Sequence, residues 1–79
     1  MRARVFVTLK PSVFDPQGRT IVDALQSLGY QNVADVRQGK YLELDLATTE
    51  RAQAEKLAAD VADKVLANPV IESYRIEVD

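Results

Sequence analysis

Between Arg2 and Lys10 the side chains alternate, with Ala3, Val5, Val7 and Leu9 on one side and Arg4, Phe6 and Thr8 on the other. Successive residues of a strand face opposite ways, so this period of two predicts a strand with one buried face. Lys10-Pro11-Ser12 breaks the alternation. Asp15-Pro16 then offers an N-cap acceptor followed by a proline whose fixed φ suits the first helical position. Ile21, Val22, Leu25 and Leu28 recur at helical spacing, and Gly29 can take the left-handed conformation that ends a helix.

Val33 to Leu46 reads as two strands around Arg37-Gln38-Gly39, with Gly39 supplying positive φ for a tight hairpin. In the second of these strands Leu42, Leu44 and Leu46 alternate with Tyr41, Glu43 and Asp45. Thr48 or Thr49 can cap a second helix whose inner stripe is Ala54, Leu57, Ala58, Val61 and Val65, and Asn68-Pro69 stops it. A last strand spans about Ser73 to Val78, with Tyr74, Ile76 and Val78 inward. Right-handed crossovers fold a strand-helix-strand-strand-helix-strand order into an α+β, two-layer βαββαβ sandwich of the ferredoxin-like type. Its expected form is a four-stranded antiparallel sheet with both helices on one face. The open face would carry Arg4, Phe6, Thr8, Asp35, Arg37, Tyr41, Glu43, Asp45, Arg75 and Glu77, a mixture that reads either as a solvated surface or as a partner surface.

Seventy-nine residues are enough for one core, so residues 1–79 are read as a single domain. The apolar fraction of 47% is that of a chain that folds. The sequence holds no Cys and no His, which removes thiolate nucleophiles, imidazole bases and Cys or His zinc sites. No run approaches the roughly 20 apolar residues of a membrane span, so a cytoplasmic protein with no membrane partner is expected. Ten basic against twelve acidic residues give a net charge of −2 without a basic block, which argues against binding a phosphate backbone.

Many functions live on this fold, so side chains must decide between them. Tyr41-Leu42-Glu43-Leu44-Asp45 puts acids where an RNA-binding sheet needs bases and rings. The loop from Lys10 to Pro16 has two prolines that remove N–H donors and an acid where an anion would sit, unlike an acylphosphatase cradle. The carboxylate pairs Glu43 with Asp45 and Asp60 with Asp63 read as solvated surface pairs, since nothing in their surroundings suggests the burial that tunes a catalytic pKa. Arg37 and Lys40 flank a turn, but a lone turn lacks the converging donors of a phosphate site. The residues alone describe a sandwich without catalytic, metal or cofactor groups.

Four runs go further: Val13-Phe14-Asp15-Pro16-Gln17-Gly18, Ala24-Leu25-Gln26-Ser27-Leu28-Gly29-Tyr30, Val36-Arg37-Gln38-Gly39-Lys40-Tyr41-Leu42-Glu43-Leu44, and Leu66-Ala67-Asn68-Pro69-Val70-Ile71-Glu72-Ser73-Tyr74. In this order they resemble the PurS small-subunit family of phosphoribosylformylglycinamidine (FGAM) synthase. Phe14, Pro11-Ser12 and Ser73 are mild departures from the family's pattern. The resemblance implies a non-catalytic subunit in purine biosynthesis. Its implied partners are a synthetase large subunit, a glutaminase subunit and further copies of itself, and its implied role is assembly that aids ammonia transfer. ATP, Mg and glutamine would then act on the other subunits, with no cofactor on this chain. The alternative is a small ligand-binding regulatory module of the same fold. Folding explains Asp15-Pro16, Gly29, Gly39 and Asn68-Pro69, but it does not require Gln17, Arg37, Lys40 or Glu72. These four, with Tyr41 and Tyr74, are the candidate partner-binding residues.

Overall fold

A computed structural model describes all residues, 1–79. Strand β1 (Arg2–Leu9) is followed by helix α1 (Pro16–Ser27), strand β2 (Gly39–Asp45), helix α2 (Arg51–Val61) with a π-helical turn over Ala62–Leu66, and strand β3 (Glu72–Val78). The sheet order is β2-β1-β3 and both pairings are antiparallel. Val5 stands between Leu42 and Ile76, and Phe6 between Tyr41 and Arg75. The predicted alternation therefore sets the register: Ala3, Val5 and Val7 are buried under α2, while Arg4, Phe6 and Thr8 face outward.

The expected four-stranded sheet with two helices on one face is corrected to three strands with α2 alone packed on β1 and β3. Residues 33–38 run as irregular chain instead of a strand, because side chains take up the groups that a neighbouring strand would bind. Gln26 Nε2 donates to the Val33 carbonyl (3.2 Å), the Val36 N–H is satisfied by its neighbour Asp35 (2.9 Å), and the Gln38 N–H donates to Asp15 Oδ2 (2.7 Å). The segment thus returns along α1, and the two form an arm that leaves the sheet.

Asp15 caps α1 as expected, its Oδ1 accepting the Gly18 N–H at 2.9 Å, and Gly29 ends the helix with φ +100°. The second helix differs from its prediction. Its buried stripe is Ala54, Ala58 and Ala62, whereas Leu57 and Val65 face solvent. The Ala67 N–H reaches back five residues to the Ala62 carbonyl, so the last turn is wider and rotates Val65 away from the sheet. Small alanines let α2 lie close on β1. The expected threonine cap is corrected as well: the cap position falls on Glu50 with no side-chain cap bond, and Thr48 only accepts the Glu50 N–H at 3.2 Å, one step before the helix.

Gly39 is also corrected. It opens β2 opposite Thr8 without positive φ, and a Cβ there would press into the Val7 carbonyl oxygen and the Thr8 methyl. Glycine is needed for close strand approach. Gly39→Val is therefore expected to lose about 1–3 kcal/mol, outweighing the gain of up to about 1 kcal/mol that a β-branched residue brings to a strand. Thermal denaturation followed by circular dichroism measures it; an unchanged midpoint would refute the steric reading.

Candidate functional site

The end of the sheet where β1 gives way to the arm gathers the most polar side chains. Thr8, Asp15, Gln17, Gln38, Lys40 and Glu72 line a cleft of about 300 Å³ there, floored by Val7 and Leu9. Four elements bring them together. β1 and β2 present Thr8 and Lys40 by their pairing, the first turn of α1 presents Gln17, and the start of β3 presents Glu72 opposite Leu9.

The two carboxylates are already engaged by backbone. Asp15 accepts the N–H groups of Gly18 and Gln38, while Glu72 Oε1 accepts the Asn68 N–H at 2.7 Å. The Asp15 carboxyl is held below its usual pKa, first by the Gly18 N–H, then by that of Gln38, with the nearby Arg37 charge adding to them. What remains free in the cleft is the Lys40 ammonium with the carboxamides of Gln17 and Gln38. None of these three side chains bonds within the chain.

Of the six residues singled out from sequence, Gln17, Lys40 and Glu72 meet in this cleft. Arg37 lies beside it, and its Nη2 donates to the carbonyls of Lys10 (2.9 Å) and Val13 (2.8 Å). It therefore straps the loop after β1 to the returning segment. Tyr41 and Tyr74 lie elsewhere. Tyr41 stands on the open sheet face, its ring 5.1 Å from Phe6 and its hydroxyl donating to Glu43 at 3.1 Å. Withdrawal from water, reinforced by the Glu43 carboxylate, raises its pKa. Tyr74 faces the helix side, in an open groove of about 660 Å³ bordered by Gln53, Lys56, Leu57, Asp60 and Asp63.

The open face carries a second polar set. The Arg75 guanidinium lies 4.2 Å from the centre of the Phe6 ring, and Arg4 pairs with Glu77 (3.6 Å) and Asp79 (2.8 Å). The expected Asp35 and Arg37 are absent from this face because their segment leaves the sheet. Sequence reading missed Gln38 and gave Asp15 only a capping role. The one hint was that a capping carboxylate has a second oxygen free for another donor.

No helix is long and apolar enough to cross a membrane. The geometry offers recognition groups and no pairing of nucleophile with base. The family model described as PurS, phosphoribosylformylglycinamidine (FGAM) synthase, matches residues 2–79. The chain belongs to the PurS family. It is 47% identical over 75 residues to the FGAM synthase subunit PurS of Synechocystis, covering 95% of this chain and 75% of that one. With the Bacillus subtilis PurS subunit it shares 46% over 78 residues, covering 99% and 92%. The solved Bacillus subtilis PurS superposes with a TM-score of 0.86 over 99% of this chain and 96% of that one, at 46% identity. Methanocaldococcus jannaschii PurS gives a TM-score of 0.88 at 36% identity, covering 99% and 94%. A chain of PurLQS from Thermotoga maritima gives 0.87 at 26% identity, covering 96% and 93%. The three-stranded sheet with its projecting arm is thus compatible with the shape of solved PurS chains.

Proposed function

We propose that this PurS subunit of FGAM synthase serves purine biosynthesis by assembly, holding a glutaminase subunit against an ATP-dependent synthetase subunit so that ammonia passes between them. Holding two reacting centres in register removes the cost of bringing them together from solution, so a subunit can raise turnover without a catalytic group. ATP, Mg and glutamine act on the other subunits in this reading. The observation that carries it is the family membership of a chain whose most polar cleft contains engaged carboxylates and free recognition groups, with neither His nor Cys anywhere. The family match favours this reading over a regulatory ligand-binding module.

Mixing the chain with its cognate synthetase and glutaminase subunits and following glutamine-dependent FGAM formation tests it, with complex size read by light scattering. Both the rate and the large complex are expected to require this chain; turnover unaffected by its omission would sink the proposal. Within the cleft, Lys40→Glu reverses the one free charge on an exposed side chain. Its expected result is an unchanged melting midpoint with about tenfold weaker assembly. Assembly at wild-type strength would remove Lys40 from the partner surface. Gln17, Glu72 and Arg37 are proposed to act around the same cleft, and Tyr41 and Tyr74 as secondary contacts on the two sheet faces.

A further inference from the structure

The inner side of the sheet changes character at one end. Its middle is apolar, with Val5, Val7, Leu42 and Ile76, but along the same side β2 continues to Lys40 and β3, beyond Tyr74, to Glu72. Residues directly opposite on paired strands face the same way, so Lys40 across from Val7 and Glu72 across from Leu9 both turn inward. The helical cover stops short of them. The turn that ends the second helix closes at Leu66, and α1 leaves with the arm, so this end of the sheet opens into the cleft of about 300 Å³. That volume is at the lower end of the range for small-molecule sites.

The two inward charges do not neutralise each other. No ion pair joins Lys40 to Glu72. They flank β1 from opposite sides, so their backbones stand about 10 Å apart across it, which leaves room for a small molecule between the charged ends. Glu72 Oε1 accepts the Asn68 N–H, and its Oε2 has no hydrogen-bond partner. Both oxygens of Asp15 are occupied by backbone, and the Arg37 charge stands near it. The charges left to act on a ligand are thus one positive and one negative, on opposite sides of the cleft. Phosphate or a simple carboxylate would meet Glu72 and Asp15 unfavourably, and a simple amine would meet Lys40; a molecule carrying both charges suits both ends.

We propose that this cleft binds a free polar α-amino acid, its carboxylate on Lys40 Nζ and its ammonium on Glu72 Oε2. The carboxamides of Gln17 and Gln38 and the Thr8 hydroxyl, which line the same cleft, supply hydrogen bonds for an amide or hydroxyl side chain. The inference adds a ligand site to the assembly reading and does not depend on it.

The test titrates the full-length, nitrogen-15-labelled chain with L-asparagine, whose carboxamide can pair with those of Gln17 and Gln38, and follows the side-chain amide signals of these two residues. Saturable shifts with a Kd of about 1 mM or below are expected. Acetate, ethylammonium and inorganic phosphate, titrated separately, should each bind at least about tenfold more weakly. Lys40→Gln and Glu72→Gln should each weaken L-asparagine binding at least about tenfold with an unchanged circular dichroism spectrum, since both positions are on the surface and a glutamine oxygen at 72 can still accept the Asn68 N–H. Absence of saturable shifts overturns the proposal. So does phosphate or acetate binding as tightly as L-asparagine, which would make the cleft a plain anion site, and so does undiminished binding by either variant, which would put the ligand elsewhere. Because binding is read on this chain alone, its failure is separate from any failure of complex assembly or glutamine-dependent turnover.

Discussion

Gly18→Ala is expected to lower the melting midpoint by about 10 °C, although alanine is the better helix former. Gly18 lies in the first turn of α1, where alanine gains about 1 kcal/mol of intrinsic propensity. Against this, a Cβ at Gly18 would drive into the carbonyl oxygen of Val36 and touch Asp15 Oδ2 at 3.0 Å. The obstacle is backbone held by the Gln38–Asp15 bond, not the movable end of a side chain. Forcing a methyl group into such a place costs about 1–3 kcal/mol and sometimes more. A moved Val36 also pulls on the Gln38 N–H. We expect a net loss of about 2 kcal/mol after the propensity gain, which in a chain of this size gives the stated shift. Thr20→Ala, two residues on and exposed, is the control and should melt close to the wild type. Equal midpoints for Gly18→Ala and the wild type would disprove the close approach of α1 to the returning segment.

Asp15→Asn is expected to lower the midpoint to a similar extent at pH 7, for an electrostatic reason. Asparagine still caps a helix well, so the bond to the Gly18 N–H can survive. Its amide group then faces the Gln38 N–H, donor against donor, and the arm loses the bond that joins its two ends. The pH dependence carries the same information. The Asp15 carboxyl has its pKa lowered by folding, so the unfolded chain takes up a proton at higher pH than the folded one. Its contribution is complete above the unfolded value of about 4 and is lost as pH falls through the folded value. The wild type should therefore lose more of its midpoint between pH 7 and pH 3 than Asp15→Asn does. Parallel pH profiles for the two proteins would show that the carboxylate has no such role.

The candidate cleft was partly legible in the sequence. Gln17, Lys40 and Glu72 could be singled out as polar residues that folding does not demand, but they are far apart along the chain. Nothing in their spacing says that they share a cleft, which arises because β1 pairs with both β2 and β3 and brings three distant segments to one end of the sheet. Arg37 had the same composition signal and proved to be a strap, since its Nη2 donates to two carbonyls of the loop after β1. Tyr41 and Tyr74 looked alike and stand on opposite faces, as the period of two requires once β2 and β3 are registered on β1.

By itself the sequence determined the local events: the alternation that makes β1, β2 and β3, the Asp15-Pro16 start and Gly29 stop of α1, and the end of the second helix before Asn68-Pro69. Period and capping act over a few residues, so they can be read without knowing the neighbours. Only the tertiary structure decided that residues 33–38 would pair with side chains, that α2 would bury alanines instead of Leu57 and Val65, and that Gly39 would be required by strand approach. Each of these turns on a distance between segments remote in sequence. The bonds from Gln38 to Asp15 and from Arg37 to the loop after β1 commit the arm to a direction away from its sheet, and no periodicity within the arm could have announced it.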